Sequence, residues 1–178
     1  MTERLYVLVS GPPASGKSTL APRIASHLGL PLIAKDTIKD ALMAVSPPAD
    51  VDASRRLGRA AMAVLFAIAK DAPCGAVLES AFYRSRALAD LGALQGSLVE
   101  VFCRCDAEVA AQRYRARSGT RRAGHFDHQR TDDELRHPEV TEPVGGGWPV
   151  LEVDTVGPVD VKALMQRIEM VRRERVSD

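Results

Sequence analysis

The chain of 178 residues has almost no net charge: 24 lysines and arginines stand against 23 aspartates and glutamates, a formal +1. This excludes the basic excess of a dedicated duplex binder and the acidic excess of a solvating tail, so any charge cluster is local information. Cysteine is scarce as well. Cys74, Cys103 and Cys105 are odd in number and show no repeated ligand spacing, which argues against a disulfide framework and against a structural zinc site. Cys103 and Cys105 are expected as free buried thiols on one face of a strand. Long apolar runs are also missing, since the strongest, around residues 60–69, ends at Lys70 and is too short to cross a bilayer. The first residues, Met1-Thr2-Glu3-Arg4, show neither a long apolar region nor a small-residue cleavage site. A cytoplasmic protein with no membrane contact is therefore expected. Hydrophobic residues nevertheless make up 46%, enough for the core of one domain over residues 1–178.

Apolar runs alternate with amphipathic stretches from end to end, which predicts an α/β fold with a parallel sheet covered by helices. The strands expected are Leu5–Val9, Pro31–Ala34, Ala76–Leu78 after Gly75, Leu98–Cys103 and Val150–Val153. Between them, Leu20, Ile24 and Leu28 mark a helix that Pro22 should bend, and a short helix follows from about Asp36. Leu57, Ala61, Val64, Leu65 and Ile68 mark a longer one. Further helices are expected over Arg86–Leu94, Asp106–Arg117, and around Val161, Leu164, Ile168 and Val171. The polar stretch from Ser118 to Gly147 is too long for an ordinary connection and reads either as a functional lid or as a partly disordered segment.

Gly11-Pro12-Pro13-Ala14-Ser15-Gly16-Lys17-Ser18, followed by Thr19, satisfies GxxxxGK[ST] between a predicted strand and a predicted helix. Phosphate oxygens need a ring of backbone N–H donors at close approach. Glycines permit that turn, and the helix N-terminus adds partial positive charge. Lys17, expected to face solvent until phosphate arrives, would reach the β- and γ-phosphates, and the Ser18 hydroxyl would ligate Mg²⁺. Average residue frequencies allow such a match by accident in roughly one chain of this length in a hundred or fewer, before the strand-to-helix context is required. No NKxD guanine signature is present, which favours ATP over GTP.

With this loop near the N-terminus, Lys35-Asp36-Thr37-Ile38-Lys39 after the second strand and an arginine-rich stretch before the fifth, the chain resembles a family. It is similar to small AAA-type P-loop kinases that include polynucleotide 5′-hydroxyl kinase, chloramphenicol phosphotransferase and zeta-toxin-type kinases. The resemblance runs over about Leu5 to Ile168. It implies a three-layer P-loop NTPase sandwich with a five-stranded parallel sheet in adenylate-kinase order, an arginine-rich lid at about 118–147, and transfer of a phosphoryl group from ATP with Mg²⁺ to an alcohol. In such kinases an aspartate after the second strand activates the acceptor hydroxyl, and Asp36 matches it. The bottom-up placement agrees, because ligands in open α/β sheets bind beyond the carboxyl ends of strands. The alternative for Asp36 is a helix N-cap. Glu79 ends the third strand where many relatives carry Asp, and its role stays open between Mg²⁺ shell, base and strand-end solvation. Ser80, Phe82, Tyr83 and Arg84 are expected to line the acceptor pocket.

Arg113, Arg117, Arg121 and Arg122 match the lid of these kinases, with Gly119 and Gly124 as joints. Guanidinium groups there would offset the charge spreading over the γ-phosphate in the transition state; the competing reading is a solvated basic helix face. His125 and His128, with Asp127 between them, read as hydrogen-bonding or capping groups ahead of metal ligands. Trp148 reads as a hydrophobic anchor for the lid's return.

The leading expectation is an ATP-dependent kinase acting on a small hydroxyl compound such as a nucleoside, sugar or antibiotic. A polynucleotide 5′-hydroxyl kinase ranks below it, because only the lid is strongly basic and no aromatic-studded groove is visible. From another class comes an ATP-binding switch module whose lid signals to a partner. Lys17, Ser18 and Asp36 together favour the kinase. The acceptor's identity and the oligomeric state are not written in the sequence.

Overall fold

The structure, a computed structural model, describes residues 4–118, 124–126 and 137–176, with the side chains of residues 117, 118 and 174–176 outside that description. Five strands, β1 (Leu5–Ser10), β2 (Leu32–Ala34), β3 (Gly75–Glu79), β4 (Ser97–Arg104) and β5 (Val150–Asp154), form one sheet in the order β2-β3-β1-β4-β5. All recorded pairings are parallel. The expected five-stranded parallel sheet in adenylate-kinase order is what forms. The helices are α1 (Lys17–Leu28), α2 (Lys35–Val45), α3 (Val51–Asp71), α4 (Arg84–Gly92), α5 (Ala107–Ser118), α6 (Pro138–Thr141) and α7 (Val161–Val176).

The sheet is covered on both faces, which makes three layers. On β1, Leu5, Val7 and Val9 point into a core with Ile24 of α1 and Ile168 of α7, while Tyr6 and Leu8 point into a second core with Leu65 of α3 and Leu91 of α4. Both-faced burial explains why β1 reads as a continuous apolar run and not as an alternation. Each such side chain contributes roughly 1.5–3 kcal/mol on full burial. Tyr6 keeps its hydroxyl satisfied by donating to the Ala69 carbonyl at 3.0 Å.

Local signals set several boundaries. α1 runs unbroken through Pro22, which removes only one helical N–H, and it stops at Gly29, left-handed at φ 64°, whose N–H returns to the Ala25 carbonyl. α3 starts at Asp50, whose carboxylate accepts from the Ala53 N–H at 2.7 Å. α4 begins two residues earlier than the apolar spacing suggests, and β4 ends at Arg104. Cys105 therefore falls past the strand and is half-buried, whereas Cys103 is in the core and burial pushes its thiol up to about 12. Among the described residues no helix is long and apolar enough to cross a membrane.

Candidate active site

The carboxyl ends of β1, β2 and β3 open onto one cleft of about 1280 Å³. The loop after β1 forms its floor. Gly11 holds φ 130°, and a Cβ there would lie 2.6 Å from the Cys103 carbonyl, so only glycine lets the loop pass β4 so closely. Gly16, at φ 86°, is the N-cap of α1 with no side chain capping it, which leaves the first turn of that helix without a side-chain acceptor. Ala14 also adopts a left-handed φ of 62° despite its Cβ. The Ser15 N–H donates to the Pro12 carbonyl at 3.2 Å, while its buried hydroxyl is the one orphaned side-chain polar atom among the described residues. A tight loop with a bare helix N-terminus and an unsatisfied hydroxyl fits a phosphate group.

Lys17 is not solvent-facing, contrary to the expectation. It is 6% exposed, and its ammonium is folded back onto the Pro12 carbonyl at 2.6 Å, because a lysine at the start of α1 can satisfy its donors on the loop it follows. The Ser18 hydroxyl donates to Glu79 at 3.3 Å. Burial raises the Glu79 carboxyl above its ordinary value, opposed by the charge of Lys17 and reinforced by that of Asp36. Two oxygen donors of this kind, with a carboxylate that burial makes costly, suit a hard divalent cation.

Ala34 pairs in register with Glu79, so Asp36 lies just beyond the end of β2. The capping alternative does not apply: Ala34 is the N-cap of α2, and Asp36 sits within its first turn. Its half-exposed carboxylate faces the cleft and pairs with Lys35 at 3.0 Å. Three residues on, Lys39 is buried; its ammonium donates to the Ser54 hydroxyl at 2.7 Å, which donates to the Gly124 carbonyl at 2.6 Å. His125 meets Asp40 at 2.7 Å, so residues 124–126 are held on α2 and α3.

Of the residues expected to line an acceptor pocket, Ser80 and Tyr83 line the cleft. Phe82 is in the core, and Arg84 donates away from the cleft to the Val144 carbonyl at 2.6 Å. Arg113 lies at the other end of the cleft, clamped to the loop after β5 through the Thr155 and Val156 carbonyls at 3.0 and 2.9 Å. The Arg117 side chain, Arg121, Arg122, Asp127 and His128 lie outside the described residues, as do residues 119–123 and 127–136 of the expected lid. No motif marks Glu100, fully buried on β4, which accepts from the Ser10 hydroxyl, the Val144 and Gly145 N–H groups and the Trp148 indole. Trp148 is an anchor as expected, half-buried against the core of α3 and α4.

This sheet order and phosphate loop are those of the small P-loop kinases. The AAA_33 family model, an AAA domain, matches residues 7–139, and the chain belongs to that family. A candidate kinase from Chloroflexus aurantiacus is 28% identical with a TM-score of 0.83, over 96% of this chain and 98% of that one. A gluconokinase from Sinorhizobium meliloti is 22% identical with a TM-score of 0.62, over 100% of this chain and 99% of that one, a likeness of fold. An adenylate kinase from Chlamydia caviae is 40% identical over 48 residues, 26% of this chain. The matched stretch spans 22% of that curated relative's length.

Proposed function

We propose that the protein transfers the γ-phosphoryl group of ATP to a hydroxyl of a small molecule. The observation that carries this is the division of one cleft between two carboxylates: Glu79 reaches the Ser18 hydroxyl on the phosphate-loop side, and Asp36 stands on the side walled by α2 and α3. Ser18 and Glu79 would hold Mg²⁺, which when bound offsets charge on the phosphate oxygens. Lys17, released from the Pro12 carbonyl, would move its charge to the β- and γ-phosphates, and the N–H groups of the Gly11–Thr19 loop would bind them. Asp36 accepts the proton of the attacking hydroxyl. Its partner Lys35, at 3.0 Å, limits its rotation. Arg113, fixed to the loop after β5, shapes the far end of the nucleotide side; Arg117, Arg121 and Arg122 remain candidates to pair with the γ-phosphate.

ADP release from ATP and Mg²⁺, measured with and without a panel of alcohols, tests the reading. A kinase shows acceptor-dependent release, and Asp36→Asn lowers it by about 10²-fold or more with little change in ATP affinity. Release indifferent to every alcohol supports the switch module instead. If Glu79→Gln carries the larger defect in proton transfer and Asp36→Asn nearly none, the two carboxylates are reversed.

A further inference from the structure

We propose that the outer face of α3 is a contact surface for a second copy of this chain, joined about a two-fold axis that passes between Ala63 and Val64. Every residue from Ala60 to Ala69 is apolar, in a run too short to cross a bilayer. Its inner side is accounted for, since Ala61, Leu65, Phe66 and Ala69 are buried. Ala60, Ala63, Val64, Ala67 and Ile68 are exposed, Val64 to 38% and Ile68 to 48%. A helix that covers a sheet and meets water on its other side is expected to be polar there, and one that is apolar all round is expected to be covered all round. α7 shows the ordinary case, with Lys162, Gln166, Arg167, Glu169 and Arg173 on its exposed side. α3 departs from it over about three turns.

Charge at the two ends of this face says what covers it. Arg56 and Asp71 are both exposed and bracket the apolar stretch, and the spacing of positions 56, 60, 63, 67 and 71 puts them in one line along the helix. Neither side chain has an ion-pair partner among the described residues. In an antiparallel pair of α3 helices about that axis, Arg56 meets the partner's Asp71, and Asp71 meets the partner's Arg56. Ala60 meets the partner's Ala67, and Ala63 meets the partner's Val64. The face is thus complementary to itself in charge and in size, which is what a two-fold contact requires and what a face built for an unrelated protein has no reason to show. Neighbouring registers lose this match. An axis through Val64 sets Asp71 against the partner's Leu57, and one through Ala63 sets Arg56 against the partner's Lys70.

Helix geometry agrees with charge. Arg56 and Asp71 each lie about 11 Å along α3 from the two-fold axis. Helices that cross at about 20° diverge by only about 4 Å over that distance, within reach of an arginine side chain. Alanines at the centre let the two helix axes approach to about 8 Å, which withdraws Val64 from water and sets Ile68 on the aliphatic stem of the partner's Arg59. The strip between Arg56 and Asp71 is about 22 Å long and about 10 Å wide, less than a standard interface needs, so the dimer is expected to be a weak one that forms in the micromolar range.

The test measures the mass of the full chain by analytical ultracentrifugation from about 1 to about 500 μM. Monomer should give way to dimer as concentration rises. Arg56→Asp and Asp71→Arg each place two like-charged contacts in the dimer and should weaken it by at least about tenfold. Mixed in equal amounts, these two variants should recover the dimer, because in the mixed pair both end contacts again join opposite charges. A chain carrying both substitutions should recover it for the same reason. Val64→Lys should abolish association while circular dichroism stays that of the parent, since Val64 is exposed. A chain that is monomeric at every concentration overturns the proposal and leaves the face to another protein or to another part of this chain. A dimer indifferent to Val64→Lys, or charge variants whose mixture does not recover it, overturns the proposal as well.

Discussion

Replacing Glu100 with Gln probes what holds the chain between α6 and β5 to the sheet. Glu100 is fully buried, and each carboxylate oxygen has two donors: Oε1 takes the Ser10 hydroxyl at 2.6 Å and the Val144 N–H at 2.8 Å. Oε2 takes the Gly145 N–H at 3.0 Å and the Trp148 indole at 3.1 Å. Glutamine keeps the shape but turns one oxygen into an NH₂ group. On the Oε2 side two N–H donors would then face a donor; on the Oε1 side only the Val144 N–H would, because the Ser10 hydroxyl can turn to accept from the NH₂ group. The second orientation costs less, and a hydrogen bond to a charged acceptor is worth roughly 1.5–3 kcal/mol, so the loss should be at least about that. Against a total of roughly 5–15 kcal/mol for a domain, this is a sizeable fraction. In urea, with a slope of about 1–3 kcal/mol per molar, the midpoint should fall by at least about 0.5 M. Limited proteolysis should cut between residues 142 and 149 sooner than in the parent. Because Ser10 directly precedes Gly11, ATP-analogue affinity should also weaken. A Glu100→Gln protein within about 0.5 kcal/mol of the parent would refute the claim that this carboxylate organises the return loop.

Lys17→Ala removes the charge meant for the phosphates and should lower ATP turnover by about 10²-fold or more while circular dichroism stays that of the parent; unchanged turnover rejects the phosphate-loop assignment. Glu79→Gln should stabilise the nucleotide-free protein near neutral pH. Burial raises the Glu79 carboxyl above its ordinary 4.5, so the folded state holds the proton more tightly, and parent stability falls as pH climbs from 4.5 through the folded value. The gain in melting temperature should therefore be larger at pH 8 than at pH 4.5, and a gain independent of pH contradicts the placement. Ala14→Gly is a substitution that ordinarily costs about 0.5–1 kcal/mol, yet a left-handed φ of 62° costs alanine roughly 1–2 kcal/mol, so here it should be neutral to stabilising by up to about 1 kcal/mol. A thermal melt showing a loss beyond about 1 kcal/mol would mean that the loop is not strained at Ala14.

The nucleotide half of the cleft was legible in the sequence because its chemistry is local. Gly11, Gly16, Lys17 and Ser18 fall within eight consecutive residues, and the donors that cradle phosphate belong largely to the backbone, so spacing alone conveys the geometry. The strands were legible for a related reason: burial on both faces gives β1 an unbroken apolar run from Leu5 to Val9 and gives β4 a run from Leu98 to Cys103 interrupted only by Glu100. The boundary of α4 was not, since Tyr83 precedes it without a side-chain cap. Lys17 misled for another reason, as nothing in the pattern says that a basic side chain will fold back on its own loop.

The half of the cleft beside Asp36 is assembled from separate elements. The spacing of Asp36 and Lys39 puts both on one face of α2, but whether that face is buried depends on α3, whose Ser54 is 15 residues away, and on Gly124, another 70 residues on. Arg59 of α3 and Arg86 of α4 line that same cleft from separate elements. The binding function common to such folds can therefore be read from a contiguous motif, while what distinguishes this chain from its relatives sits in contacts between distant residues and becomes readable only when α2, α3 and α4 share a wall.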